Sequence, residues 1–222
     1  MIIASTSDGL SVYGDKLVEK DLYANDNRFE EENVAIHFCE GSGDVFPGVE
    51  TVEDGFIERI PHLCKIVMDD TVKYIGVTPV AENLLHKNNV LIRGKFGTYA
   101  EEFARKYHLR FAPLDMFLAK VGDYYHHGSD IISLVFFDDG TVKIHQDERC
   151  QGSSAGGDGG FDMYVDIPWD FFTAPDAQEF VASKCWGNCY DSVLNCQALK
   201  DFIEIARERY KSEKHQKLLV EF

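Results

Sequence analysis

The chain is short of positive charge: 22 Lys and Arg stand against 38 Asp and Glu in 222 residues, a formal net charge of −16. Acidic runs at Glu30-Glu31-Glu32, Asp69-Asp70 and Asp138-Asp139 repel phosphate backbones and anionic head groups. This argues against nucleic acid and membrane surfaces as partners and favours another protein, a basic one. No apolar run approaches the length of a membrane span. "MIIASTSDGLSVYG" has no basic segment followed by the sustained apolar stretch of a secretory signal. With Met1 at its start, the expected location is the cytoplasm; the alternative is an exported or cell-surface protein trimmed of its signal.

Catalytic and metal-binding signatures are also scarce. No Gly-x-Ser-x-Gly elbow occurs, and Ser153 and Ser154 sit in a glycine-rich loop without the strand-turn-helix frame such a nucleophile needs. That loop, Gly152 to Gly160, lacks the Gly-Lys-Ser/Thr ending of a phosphate cradle, runs into a strand and carries Asp158. It reads as a connector. The six cysteines, at 39, 64, 150, 185, 189 and 196, are too scattered for a disulfide framework, and "CWGNC" is not the two-residue knuckle that grips zinc. Reduced, mostly buried thiols are expected, with no cofactor and no metal. His126-His127 is a weak metal pattern, since adjacent histidines point different ways. A Cys150–His145 pair is open to sequence reasoning because such partners meet in space. Asp162 and Asp166 read as surface carboxylates of one strand face.

What is present is a core's worth of apolar residues, 45 % of the chain with 13 % aromatic, and an internal repeat. "VETVEDGFIERIPHLCKIVM" set above "VKYIGVTPVAENLLHKNNVLI" brings Val49 onto Val72 and Val52 onto Ile75, then Ile66 onto Val90 and Met68 onto Ile92. "VAIHF" joins the alternation if "SGDVFPG", Ser42 to Gly48, is excised as an insertion. A repeat of this length is the mark of stacked units that cannot bury their apolar side alone. After the last strand, Gly94 and Gly97 turn the chain, and Tyr99, Phe103 and Tyr107 recur at helical spacing with Ala100 and Ala104. The sequence therefore predicts a helix closing the open end of the stack.

The period and the closing "IRGKFGTYAEEFARKYHLRF" resemble the bacterial surface antigen (BspA-like) class of leucine-rich repeats over residues 34–113. Arrays of that class often end in a Gly-x-x-Gly-Ser-x-Ala-Glu-x-x-Ala helix and a final strand. The resemblance implies a bacterial protein-binding solenoid.

Before and after that segment the chain reads differently. Residues 1–33 form an N-terminal cap region with a β-hairpin turning at Ser7-Asp8-Gly9, followed by "DKLVEKDLYANDNRFEEEN", to which no element is assigned. Residues 114–222 read as an α+β domain of unknown function. Asp139-Gly140 joins strands Ile131–Phe137 and Val142–Ile144. "FDMYVDI" turns Phe161, Met163, Val165 and Ile167 inward and Asp162, Tyr164 and Asp166 outward until Pro168 ends it. Helices follow from Pro175 and from a candidate N-cap at Asn195, the latter with Leu199, Phe202, Ile203 and Ala206 as its stripe. The expected class is thus α+β, a short leucine-rich repeat solenoid with a C-terminal capping helix and then a small α+β domain.

If Ile36/Phe38, Ile66/Met68 and Val90/Ile92 face the core, then Ala35, His37, Lys65, Val67, Leu91 and Arg93 face outward together. This mixed apolar and basic ladder is the expected interaction face. The repeat resemblance, the lack of a catalytic constellation and the small size point to non-enzymatic protein recognition. Two alternatives stand beside it: an acidic immunity or inhibitor protein that neutralises a basic toxin, and a small enzyme or ligand site between the glycine loop and Phe161–Ile167.

Overall fold

The computed structural model describes residues 2–6, 10–13, 16–19, 36–39, 42–45, 50–52, 54–59, 62–123, 128–150, 160–211 and 218–222. In chain order the elements of the first half are β1 (Ile2–Thr6), β2 (Leu10–Tyr13), β3 (Lys16–Glu19), β4 (Ile36–Cys39), β5 (Ser42–Val45), β6 (Thr51–Val52), β7 (Lys65–Met68), β8 (Tyr74–Ile75), α1 (Pro79–Lys87), β9 (Leu91–Gly94), α2 (Tyr99–Lys106) and β10 (Arg110–Pro113). The second half contributes β11 (Met116–Asp123), β12 (Gly128–Phe136), β13 (Val142–Cys150), β14 (Gly160–Ile167), α3 (Ala177–Ala182), α4 (Tyr190–Leu194), α5 (Gln197–Lys211) and β15 (Val220–Glu221). These divide into two compact units, residues 1–113 with 220–222, and residues 114–219.

The first unit is a mixed sheet in the order β15-β10-β9-β7-β5-β4-β1-β2-β3, with a separate parallel pair of β6 and β8. The neighbours β5, β7, β9 and β10 run parallel. Antiparallel pairs surround them: β1 with β2, β2 with β3, β4 with β5 and β10 with β15. Parallel neighbours need a crossover, and α1 and α2 are built to supply it. Thr78 caps α1 by accepting from the Ala81 amide at 3.2 Å, with Pro79 in the first turn. α2 buries Ala100, Phe103 and Ala104; its rings lie in sequence, Tyr99 to Phe103 at 5.9 Å and Phe103 to Tyr107 at 4.8 Å.

This architecture corrects the solenoid expectation, and mixed α/β is the fold observed. A solenoid adds one strand per turn to a single stack, whereas here antiparallel hairpins interrupt the sheet and β15 closes its other edge. The segment set aside as an insertion, Ser42 to Gly48, contains β5, which pairs between β4 and β7. The helix expected to cap the stack is followed by β10, a further parallel strand beside β9, so α2 is a crossover and not a lid. The repeat alignment holds where β6 meets β8, Val52 opposite Ile75. Between β7 and β9 it slips, since Ile66 lies opposite Ile92.

The second unit is an antiparallel meander, β11-β12-β13-β14, with helices after it. The β12–β13 turn is held by Asp139, whose carboxylate accepts from the Thr141 amide at 2.9 Å and hydroxyl at 2.7 Å, and by Gly140 at φ +81°. Two details depart from the sequence reading. β11 had no expected counterpart, and Asn195 ends α4, donating to the Asp191 carbonyl at 2.7 Å, instead of starting α5. The last residues, grouped by sequence with the second half, pair with β10 in the first unit.

Candidate recognition surface

Alternation along β12, β13 and β14 gives the second unit's sheet two faces of different chemistry. Ile132, Leu134, Phe136, Val142, Ile144 and Ile167 are buried on one. Phe136 meets Phe202 of α5 there at 5.2 Å, and Phe202 stacks on Phe171 at 6.3 Å. The opposite face carries one row of Phe117, Ser133, His145 and Tyr164 and a second of Val135, Lys143 and Asp166. Phe117 is 58 % exposed and Tyr164 53 %.

These side chains brace one another. The His145 ring stacks on Tyr164 with centroids 4.4 Å apart and planes 11° from parallel, while its Nε2 lies 3.1 Å from Asp162 Oδ1. Lys143 sits 3.0 Å from the Asp166 carboxylate and 5.7 Å from the centre of the Phe137 ring. Of the six exposed large apolar side chains among the described residues, Phe117, Phe137 and Tyr164 belong to this open face. Aromatics grouped on a face and rimmed by carboxylates are the pattern of a surface that another molecule covers.

On the covered face one polar cluster is fully engaged. The Gln146 amide, 1 % exposed, receives the Trp186 amide on Oε1 at 2.9 Å and donates from Nε2 to the Trp186 carbonyl at 3.2 Å. This clamps the loop that presents the Trp186 indole, which is 66 % exposed. The Cys189 thiol lies 3.6 Å from the Asp130 carboxylate. Burial, reinforced by that carboxylate, pushes Cys189 up to about 12, and burial pushes Cys185 up to about 11. Both stay protonated at neutral pH and are poor nucleophiles and metal ligands.

Comparison of the chain with protein-family models, with curated proteins and with solved structures finds no match.

The residues singled out from sequence scatter. Ala35 lies outside the described residues, and His37 is placed in β4 opposite Asp44. Register does bring Lys65 opposite Leu91 and Val67 opposite Arg93, yet Leu91 is 2 % exposed and Arg93 9 %. The Arg93 guanidinium turns to the Pro113 carbonyl, at 2.8 Å from Nη2. The expected outward ladder is therefore closed at β9. Cys150 is five residues along β13 from His145, roughly 16 Å at strand rise, so the two do not form a catalytic pair. His126, His127 and residues 151–159 lie outside the described residues. Among the described residues no three His, Cys, Asp or Glu converge as a metal site.

Ser133, opposite His145 in register, completes a Ser-His-Asp set in space that sequence reasoning missed. Among the described residues no hydrogen bond joins Ser133 to His145, although a working nucleophile and base sit within about 3.2 Å of each other. The open face itself was half visible: "FDMYVDI" turns Tyr164 outward between two aspartates, but Phe117 joins it only through the unforeseen β11.

Proposed function

We propose that this chain is a non-enzymatic protein-recognition module whose second unit binds a basic protein through the open face of its antiparallel sheet. The observation that carries this reading is the grouping of Phe117, Phe137 and Tyr164 on that face. Asp162 and Asp166 stand beside Tyr164 with side chains 69 % and 84 % exposed. Aromatics held in place lose little freedom on binding and commonly dominate an interface. Exposed carboxylates on a chain of charge −16 steer a basic partner and add salt sensitivity. Neutralising a basic toxin is the sharper form of the same proposal.

The test is capture from the source lysate at low and high salt, repeated with Phe117→Ala/Tyr164→Ala and with Asp162→Asn/Asp166→Asn. A stoichiometric basic partner should be lost from the aromatic variant, and weakened for the carboxylate variant and at high salt. A partner retained undiminished by both variants would remove this face from the proposal.

A further inference from the structure

The first unit holds a cleft of about 260 Å³ where the chain leaves α1 and α2 for β9 and β10, bordered by His86, Asn89, His108, Arg110, Glu221 and Phe222. The two corners that shape it share one geometry. Asn89 and His108 both take φ +50°, the left-handed conformation that ends a helix. Each is followed by an amide that bonds back into its helix: Val90 to Leu85 at 3.0 Å and Leu109 to Ala104 at 2.8 Å.

The chemistry of the lining is unusual for so acidic a chain. Two histidines and an arginine line it together with Glu221, which lies opposite Arg110 in register. Basic groups in a helix's last turn ordinarily answer its negative end, which accounts for His86. Arg110 is different because it stands on a strand. Its Nη2 donates to the Asn89 carbonyl at 2.6 Å, yet its Nε–H is buried with no hydrogen-bond partner. That atom has less than 1 Å² exposed, so an acceptor in the cleft meets the guanidinium through its Nη groups.

We propose that this cleft binds a small oxyanion, a carboxylate or a phosphate group, with Arg110 as its fixed donor and His86 and His108 as flanking donors. The site is separate from the recognition face and stands or falls apart from it.

The experiment is titration of the full chain with sodium phosphate and with sodium acetate, against sodium chloride at matched ionic strength, following backbone and Arg Nε–Hε signals by NMR. Saturable shifts confined to Asn89, His108, Arg110 and Glu221 are expected with one or both oxyanions and not with chloride. A response to phosphate alone assigns a phosphate site, and a response to acetate assigns carboxylates. Arg110→Gln should weaken binding roughly tenfold or more, the worth of one hydrogen bond to a charged group, and Glu221→Gln should tighten it. Because Arg110→Gln also removes the bond to Asn89, the pair His86→Gln/His108→Asn offers a gentler loss of several-fold. Shifts that chloride reproduces, or affinity unchanged in folded Arg110→Gln, would overturn the proposal.

Discussion

The two units connect their strands differently, and that decides where a surface is left over. In the first, β7, β9 and β10 run parallel, so the chain must return through crossovers before each new strand. β9 ends up buried at all four positions, Leu91 to Gly94, as central parallel strands usually are. In the second, β11 to β14 follow one another antiparallel. The helices come after the strands and cover one face, which leaves Phe117 and Tyr164 exposed on the other. An antiparallel meander can leave a face free for a partner, whereas a parallel strand sequence spends its faces on its own connections.

Removing a buried ring from one unit tests whether the two unfold apart. Both tryptophans, Trp169 and Trp186, belong to the second unit, so tryptophan fluorescence follows its unfolding, whereas far-UV circular dichroism follows both. Phe202→Ala deletes a ring that touches Phe136 and Phe171 and should cost about 3–5 kcal/mol. The fluorescence midpoint in denaturant should fall, with a separate circular dichroism phase left in place. Coincident shifts of both signals would mean one cooperative block.

The reciprocal variant is Gly94→Ala. A Cβ at Gly94 would lie 2.3 Å from the Ala100 Cβ, so α2 must move off β9, at about 1–3 kcal/mol of overpacking. Here the circular dichroism phase of the first unit should shift while fluorescence holds. A fluorescence shift as large as that of Phe202→Ala would erase the distinction between the units.

A smaller effect separates the units by pH. Cys189 is held at about 12 by burial and by Asp130, above an ordinary thiol near 8.5. A group whose value is raised by folding contributes stability that is complete below its unfolded value and lost as pH climbs towards the folded one. The second unit should therefore lose about 2 kcal/mol between pH 8 and pH 10 through Cys189. The fluorescence midpoint measures it, and Cys189→Ala should reduce the slope to the share that the buried Cys185 contributes. The exposed Cys64 of the first unit should react with a thiol reagent before unfolding, unlike the buried Cys189. An equal alkaline loss in both units would show that Cys189 is not its source.

Legibility in the sequence followed the range of the interaction. α2 was readable because Tyr99, Phe103 and Tyr107 mark one helix face locally, and the β12–β13 hairpin because Asp139-Gly140 dictates its own turn. β5 was not, since its glycine and the adjoining "FPG" imitate a loop, and only its neighbours β4 and β7 make Ser42 to Val45 a strand. The solenoid reading failed for the same reason: a repeat fixes which residues resemble each other but not which strands lie side by side. The expected ladder failed at Leu91 and Arg93 because alternation marks a face without saying whether something covers it. Tyr164 was seen to point outward, but its row with His145 and Phe117 is a matter of register between strands, which no single strand encodes.

The smallest effect is the most discriminating. Each unit has an exposed ion pair: Lys95 with Asp70 at 2.6 Å in the first and Lys143 with Asp166 at 3.0 Å in the second. The hydrogen bond from Lys95, foremost among its surroundings, holds the Asp70 carboxyl below its usual value. A value lowered by folding contributes stability that is present above the unfolded value near 3.9 and disappears as pH falls through the folded one. With side chains 62 % and 46 % exposed, the pair is worth no more than about 0.5 kcal/mol. Asp70→Asn should therefore lower the first unit's midpoint slightly at pH 7, not at pH 2, and leave partner capture unchanged. Asp166→Asn should reverse that pattern, with little change in stability and weaker capture at low salt, because its carboxylate lies on the open face where a basic partner would meet it. If Asp166→Asn costs stability like Asp70→Asn and leaves capture intact, the open face is ordinary solvent surface and the contrast between the units ends at their topology.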